Sequence, residues 1–505
     1  MKGILICDET PFMDRFDPHS VIVRSSHFIG GQYVTDSQAE VLGVRRPSDL
    51  QLYAELPVAS AERVDQAVQN AWQAYRHSDW ARRPPRDRAR VLFRWADLIE
   101  ADSAYLAPLE AVGSSRPIRD VLAWDIPYVA DCIRFFAELA DKHGGQVAAT
   151  QQDRLGMMVS EPYGVIGAIA PWNFPLSMGA WKVGPALAAG NTVVLKPSEL
   201  TPFSSLRLAE LAVQAGLPAG MFNVIQGDGR TTGDALCRHP RIGKVTFTGS
   251  TATGASIMSA CALSGPKPAT LELGGKSPQI VFADAPDLKK TAKQVAAAIT
   301  GNAGQVCVSG SRLLIQRSAA EAFVAEVRQH FQALRPGPTW ESGTTLPPII
   351  SAQQAQRIDA IVRRSIDQGA ECLTGGALFD GLPGAYYQPT LLSELDSSNP
   401  AVQEEIFGPV LTVQTFDDEE QAWQLASHDT YGLAAGIHTA DINRALRGMR
   451  RVEAGTVWIN RYGRSFDHIV PTGGYKRSGI GKDVGKEAFE ANLRVKSVLI
   501  DIAGQ

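Results

Sequence analysis

What the sequence lacks narrows it first. No run approaches the ~18 consecutive apolar residues of a membrane-spanning helix, which argues against such spans. No block of Lys or Arg stands out. With 49 basic against 53 acidic side chains the formal net charge is −4, so nothing electrostatic points to nucleic acid. Cysteine is sparse: Cys7, Cys132, Cys237, Cys261, Cys307 and Cys372 are scattered, without the paired spacings of a metal site. In a chain of 505 residues such cysteines read as reduced thiols, which places the protein in the cytoplasm and implies no bound metal. The short apolar start, Met1 to Cys7, has only Lys2 before it and Asp8-Glu9 directly after, too short and too acidic for a secretory signal. Fixed-period repeats and low-complexity linkers are also absent.

What remains is an ordinary globular composition, 44% hydrophobic and 20% charged, with length for two to four domains. Phe28 to Val34 reads as a hairpin around Gly30-Gly31. After Ser60 an apolar face at Val64, Ala67, Val68, Ala71, Trp72 and Tyr75 predicts a helix. A second helix is expected from Arg86 to Glu110, and a third from about Trp124 to Lys142, stopped by Gly144-Gly145. Residues 145–161 predict a protruding β-hairpin with Met157 and Met158 exposed, an edge for pairing with another subunit.

From 164 to 247, short apolar runs at 164–170, 192–195, 222–225 and 244–247 alternate with helical stretches. That rhythm argues a parallel sheet covered on both faces. The pattern resumes after Gly274 with strands at 278–282, 312–315, 410–416 and 456–459, and helices at 288–303, 319–334 and 354–369. A last strand is expected at 496–501. The fold class is therefore α/β, two lobes at about 1–274 and 275–475.

Gly304-Gln305-Val306-Cys307-Val308-Ser309-Gly310 sets one thiol among small, uncharged residues, where slim backbone lets a substrate approach. A thiol attacks as its thiolate, which needs a helix N-terminus, a positive charge or a base nearby. Five further motifs accompany it. Asn173 sits between Pro171-Trp172 and Phe174-Pro175, its backbone restricted and its amide able to meet an oxyanion. Lys196-Pro197-Ser198-Glu199 follows a strand end, where ligands bind in parallel sheets. Phe247 to Gly254 is a Gly/Ser/Thr turn before a helix, suited to a diphosphate although not the G-x-G-x-x-G fingerprint. Glu272 ends an apolar run, as a surface charge or as a general base raised by burial. Glu405 and Phe407 enter a strand. Each motif alone also reads as an ordinary turn, core or surface feature.

In this order, with Tyr431 to Gly436, Gly455 to Asn460 and Gly473 to Gly479 in support, the residues resemble the aldehyde dehydrogenase superfamily, in its hydrolytic NAD(P)-dependent branch. The resemblance covers about residues 28 to 500. It implies a Rossmann-like cofactor domain at 1–143 and 162–274, a catalytic domain at 275–475, and a small β oligomerisation element at 144–161 and 486–505. It implies Cys307 as nucleophile, Asn173 as oxyanion donor and Glu272 as the base that activates water. Trp172, Lys196, Glu199, Gly229, Phe247, Gly249, Ser250, Glu405 and Phe407 would hold NAD, with NADP possible. Aligned motif to motif, Tyr128, Phe174, Met178, Trp181, Val306, Val308 and the loop 462–468, with Arg464 and Phe466, would wall a substrate tunnel for a hydrophobic or aromatic aldehyde. A homodimer or homotetramer is implied.

Two departures stand out. Asp483 lies where many relatives carry Glu. Pro471-Thr472-Gly473-Gly474 lacks an aromatic found in many relatives, which the loop 462–468 would replace. Arg464 and His468 read either as recognising a distal carboxylate or phenol, or as pointing to solvent. A CoA-acylating dehydrogenase of the same fold is the nearest rival, opposed by the presence of Glu272. A non-catalytic cofactor-binding protein is a rival from another class.

Overall fold

The computed structural model describes residues 16–502; the apolar start around Cys7 and the last residues of the expected oligomerisation element lie outside them. Two large sheets organise the chain. The first has eight strands in the order Gln32–Val34, His27–Ile29, Phe222–Val224, Thr192–Lys196, Val165–Ile169, Ile242–Thr248, Ala269–Glu272, Gly479–Ile480. Its middle five are parallel. Val165–Ile169 and Thr192–Lys196 are buried along their whole length, as strands covered on both faces must be. The hairpin at 28–34 adds to one edge, turning through Gly30 and Gly31 at φ +64° and +80°. The other edge is closed by Gly479–Ile480, antiparallel to Ala269–Glu272, so the chain returns to the first sheet after leaving the second.

The second sheet runs Glu371–Thr374, Thr390–Ser393, Val410–Phe416, Arg312–Gln316, Pro278–Val281, Ala434–His438, Thr456–Ile459, parallel except at its first strand. A third, antiparallel sheet joins Leu493–Asp501, Arg154–Pro162 and Gln146–Ala148. This corrects the reading of Met157 and Met158. Both are half-buried, because their strand is paired along both edges, on one of them by the chain's own C-terminal strand. The exposed apolar side chains of this sheet lie instead at Val147, Val495, Leu499 and Ile500.

Helices follow the periodicity where caps are clear. Ser60 caps Ala61–His77 through the Arg63 amide, and Val64, Ala67, Val68 and Ala71 are buried. The helix expected from Arg86 to Glu110 is two, Pro85–Ala101 and Ser103–Gly113. They meet at Asp102, whose backbone leaves the helical region (φ −88°, ψ 8°) and whose carboxylate accepts from Nε and Nη2 of Arg207. The third helix is regular over Ile126–Leu139, preceded by a wide turn at Val121–Asp125. The helix expected to reach Ala303 stops at Thr300. Among the described residues no helix is long and apolar enough to cross a membrane, and the five cysteines are free.

Candidate active site

The break after Thr300 builds the loop that carries Cys307. Asn302, Ala303 and Gly304 take left-handed φ of +50°, +51° and +73°. For a residue with a Cβ that conformation costs roughly 1–2 kcal/mol, so something must hold it. The buried amides do. Asn302 Nδ2 donates to the Asn173 carbonyl (2.9 Å), Asn173 Nδ2 donates to the Gln305 carbonyl (2.9 Å), and Gln305 Nε2 donates to the carbonyls of Asn302 (3.0 Å) and Pro348 (3.2 Å). The Ile350 amide donates back to Gln305 Oε1 (2.8 Å). A Cβ on Gly304 would lie 2.1 Å from the Gly408 carbonyl, so only glycine fits there. Asn302 and Gln305 were missed from sequence; nothing in their spacing signals a clamp between segments 130 residues apart.

Cys307 emerges half-buried between two cavities and lines both. The first, about 340 Å³, is walled by Tyr128, Phe174, Met178, Trp181, Val306, Val308 and Arg464, all expected there, together with Trp124, Ser177, Gln294, Ala297 and Tyr462. Phe466 is not in its wall. It sits at the rim with its ring 4.7 Å from Trp124 and 5.6 Å from Tyr128. Tyr462 and Phe466 thus supply aromatic surface from the loop 462–468.

The solvent reading of Arg464 and His468 is corrected. The Arg464 guanidinium lies 4.1 Å over the Trp181 ring, and His468 is buried among Tyr128, Phe135 and Phe466. Burial lowers the His468 pKa, disfavouring its cationic form.

The second cavity, about 270 Å³, is lined by Trp172, Asn173, Met178, Gly249, Ser250, Gly274, Glu405 and Phe407 among others. Ser250, in this lining, caps the 13-residue helix Thr251–Leu263 by accepting from the Thr253 amide, so the helix starts at the cavity wall. Glu405 Oε1 accepts from the Gly275 amide at 2.9 Å, and burial pushes its pKa up to about 6. Arg357 holds the same segment through the carbonyls of Glu405 (2.7 Å) and Ile406 (3.0 Å). Phe407, at φ +57°, turns its ring edge to Trp172 at 5.2 Å. Phe247 does not line this cavity. Its ring is buried under Gly249, where a Cβ would meet it at 2.4 Å.

Lys196, Glu199 and Gly229 lie outside this cavity's lining: Lys196 ends the strand Thr192–Lys196, Glu199 follows it, and Gly229 opens the turn Gly229–Gly233. Lys196 Nζ is buried against the Pro197 carbonyl (3.0 Å) and Glu199 Oε2 (3.4 Å), and a Cβ on Gly229 would meet nothing within 4 Å.

Glu272 ends its strand with its carbonyl accepting from the Gly249 amide (3.0 Å). Its carboxylate is buried and lines neither cavity, and Oε1 has no hydrogen-bond partner. Burial first, then the Asp483 charge, raises its pKa well above the usual carboxylate range. Asp483 is itself buried and ion-paired with Lys182, another residue the motifs did not single out. At Cys307, burial raises the thiol pKa above its ordinary value; the Arg464 charge and the Val308 amide offset part of this, while Glu272 and Glu405 add to it. The arrangement can present a sulfur nucleophile to an apolar tunnel on one side and to a nucleotide-sized cleft on the other.

The aldehyde dehydrogenase family pattern matches residues 33–498. The NADP/NAD-dependent aldehyde dehydrogenase PuuC of Escherichia coli (strain K12) is 42% identical over 483 residues, covering 96% of this chain and 97% of that protein. Among solved structures, the indole-3-acetaldehyde dehydrogenase AldA of P. syringae, in complex with NAD+ and IAA, superposes with a TM-score of 0.94 at 39% identity, covering 97% of this chain and 99% of that one. The aldehyde dehydrogenase KauB of Pseudomonas aeruginosa does so with a TM-score of 0.94 at 38% identity and the same coverage.

Proposed function

The chain belongs to the aldehyde dehydrogenase family, and on that premise we propose that it oxidises a hydrophobic or aromatic aldehyde to its acid through covalent intermediates on Cys307. The observation that carries this reading is that Cys307 and Asn173 line the apolar tunnel and the second cleft together, so one sulfur faces both. The Cys307 thiolate attacks the aldehyde carbon that enters along Trp124, Tyr128, Phe174 and Trp181. The carbonyl oxygen becomes an oxyanion, met by the Cys307 amide and by the Asn173 N–H that Gln305 does not occupy.

The cleft fits a nicotinamide dinucleotide: Gly249 and Gly274 leave it free of side chains, and Ser250 opens a helix N-terminus onto it. Trp172, Gly249, Ser250, Glu405 and Phe407 would hold the cofactor, with Lys196, Glu199 and Gly229 at the adenosine end. When bound, the cofactor accepts the hydride that leaves the thiohemiacetal carbon. Glu199 repels a 2′-phosphate, which favours NAD over NADP, and Lys196 beside it moderates that preference.

The resulting Cys307 thioester is hydrolysed by water that Glu272 deprotonates. Its raised pKa suits proton uptake, and Oε1 has no hydrogen bond to lose when the side chain rotates towards the thioester. The buried Lys182–Asp483 pair lies next in line for that proton. In this reading the first sheet serves the cofactor, the second carries the nucleophile, and the three-stranded sheet pairs subunits into a dimer or tetramer through Val147, Val495 and Leu499.

The test is a kinetic screen of aliphatic, aromatic and ω-charged aldehydes with NAD and NADP, with product identification. Free acid formed fastest from aromatic aldehydes with NAD is expected. Acyl-CoA formed only when CoA is present would overturn the hydrolytic step.

A further inference from the structure

Arg464 does something that a tunnel wall does not require. Its Nη2 stands 3.9 Å from Cys307 Sγ, within charge-assisted hydrogen-bond reach of sulfur. The guanidinium is held there from two sides, by the Trp181 ring face at 4.1 Å and by Thr472 Oγ1 at 3.3 Å. Among the described residues it forms no ion pair with a carboxylate, so its charge is not spent elsewhere. It also divides the substrate tunnel from a neighbouring cavity of about 170 Å³ that shares Tyr128, Trp181 and Arg464 as lining. A half-buried arginine is costly in an aromatic wall unless it meets a negative partner. Its charge acts on the buried Glu272 carboxylate and on the thiol, and the thiol is the one that it reaches as a hydrogen-bond donor.

We infer that Arg464 is the counter-ion that stabilises the thiolate form of Cys307 against its burial and so enlarges the reactive fraction in the resting enzyme. The inference rests on Cys307 being the nucleophile. The thiol proton leaves to solvent through the tunnel, and the guanidinium keeps all of its own. The other charged groups acting on the sulfur are Glu272 and Glu405, and both oppose ionisation. Tyr462, also close, directs its hydroxyl to the Val308 carbonyl (2.8 Å) and is neutral at working pH. Arg464 is therefore the cation that favours the reactive form, and Trp181 and Thr472 are its positioning residues. No helix begins at the sulfur, and the Val308 backbone amide is the one neutral donor that also favours its ionised form.

The test is the rate of Cys307 alkylation by iodoacetamide against pH, read by peptide mass spectrometry on the full-length enzyme without aldehyde or cofactor. An opposite charge at this range shifts a pKa by about 1–3 units. Arg464→Met is thus expected to move the midpoint up by at least about one unit and slow alkylation at pH 7 about tenfold or more. Arg464→Lys is expected to recover most of that loss. Thr472→Val, which removes only the hydroxyl anchor, should give a smaller shift in the same direction. The wild type should also favour anionic iodoacetate over iodoacetamide more than Arg464→Met does. A midpoint unmoved in Arg464→Met, or moved equally in Arg464→Lys, would overturn the assignment. Because no aldehyde is turned over, failure here leaves the dehydrogenase reading standing. Conversely, an enzyme that oxidised no aldehyde could still pass this test.

Discussion

The tunnel and the cleft that meet at Cys307 are built from different material. The tunnel is made of side chains: Trp124, Tyr128, Phe174, Met178, Trp181 and Tyr462 fill its wall, and few of them are fixed by hydrogen bonds. The cleft sets side chains such as Trp172, Glu405 and Phe407 against stretches of backbone that only glycine allows. Gly249, Gly274 and the start of the helix Thr251–Leu263 shape it, and a Cβ on Gly274 would fall 2.3 Å from the Glu405 carboxylate. A wall of side chains can be re-cut to a new substrate without disturbing the chain. A wall of backbone cannot, and it suits a ligand that does not change.

That contrast can be broken or sharpened by substitution. The largest effect is expected at the junction itself. Cys307→Ala should reduce aldehyde oxidation by about 10³-fold or more while leaving cofactor affinity within a few-fold, measured by turnover and by fluorescence titration. Asn173→Ala removes an oxyanion donor and should lower kcat by about 10²–10³-fold. It also removes the shorter of the two side-chain hydrogen bonds to the Gln305 carbonyl, so a fall in thermal stability is expected alongside it. On the cleft side, Gly274→Ala should weaken cofactor binding about tenfold or more for every aldehyde alike, because the new methyl displaces Glu405. On the tunnel side, Phe174→Ala should cost about tenfold in kcat/KM for an aromatic aldehyde and little for a short aliphatic one, with cofactor KM unchanged. If Phe174→Ala affected the cofactor, or Gly274→Ala discriminated among aldehydes, the division between the two walls would fail.

Acidity bears on the step after hydride transfer. Glu272 acts as a carboxylate, and burial and Asp483 raise its pKa. Thioester hydrolysis should therefore slow as pH falls through that raised value, well above the ordinary carboxylate range. Stopped-flow measurement of the phase after the first turnover, across pH, would show this limb.

Much of this was legible in the sequence for identifiable reasons. Buried parallel strands are nearly continuous apolar runs, so 165–169 and 192–196 announce themselves. The thiol loop is marked by glycines that steric necessity retains, as at Gly304. Tunnel residues are bulky and apolar, and motif order placed them. What sequence did not reveal depends on contacts between distant segments. The helix break at Asp102 is tied to Arg207, and the left-handed turn at Asn302 is tied to Asn173. Phe247 reads as part of a ligand turn, yet it lies beneath Gly249. The inward course of Arg464 depends on Trp181 and on the small Thr472, which local patterning around residue 464 does not contain.

The central claim is that one sulfur receives the aldehyde from the tunnel, surrenders hydride towards the cleft, and is released by Glu272. It is tested most directly in Glu272→Gln, mixed with NAD and an aromatic aldehyde and followed by stopped-flow absorbance and intact-mass spectrometry. A burst of about one NADH per subunit, then stalled turnover with an acyl group on Cys307, is the predicted result. An unimpaired steady-state rate, or a burst with no acyl group on Cys307, would contradict it.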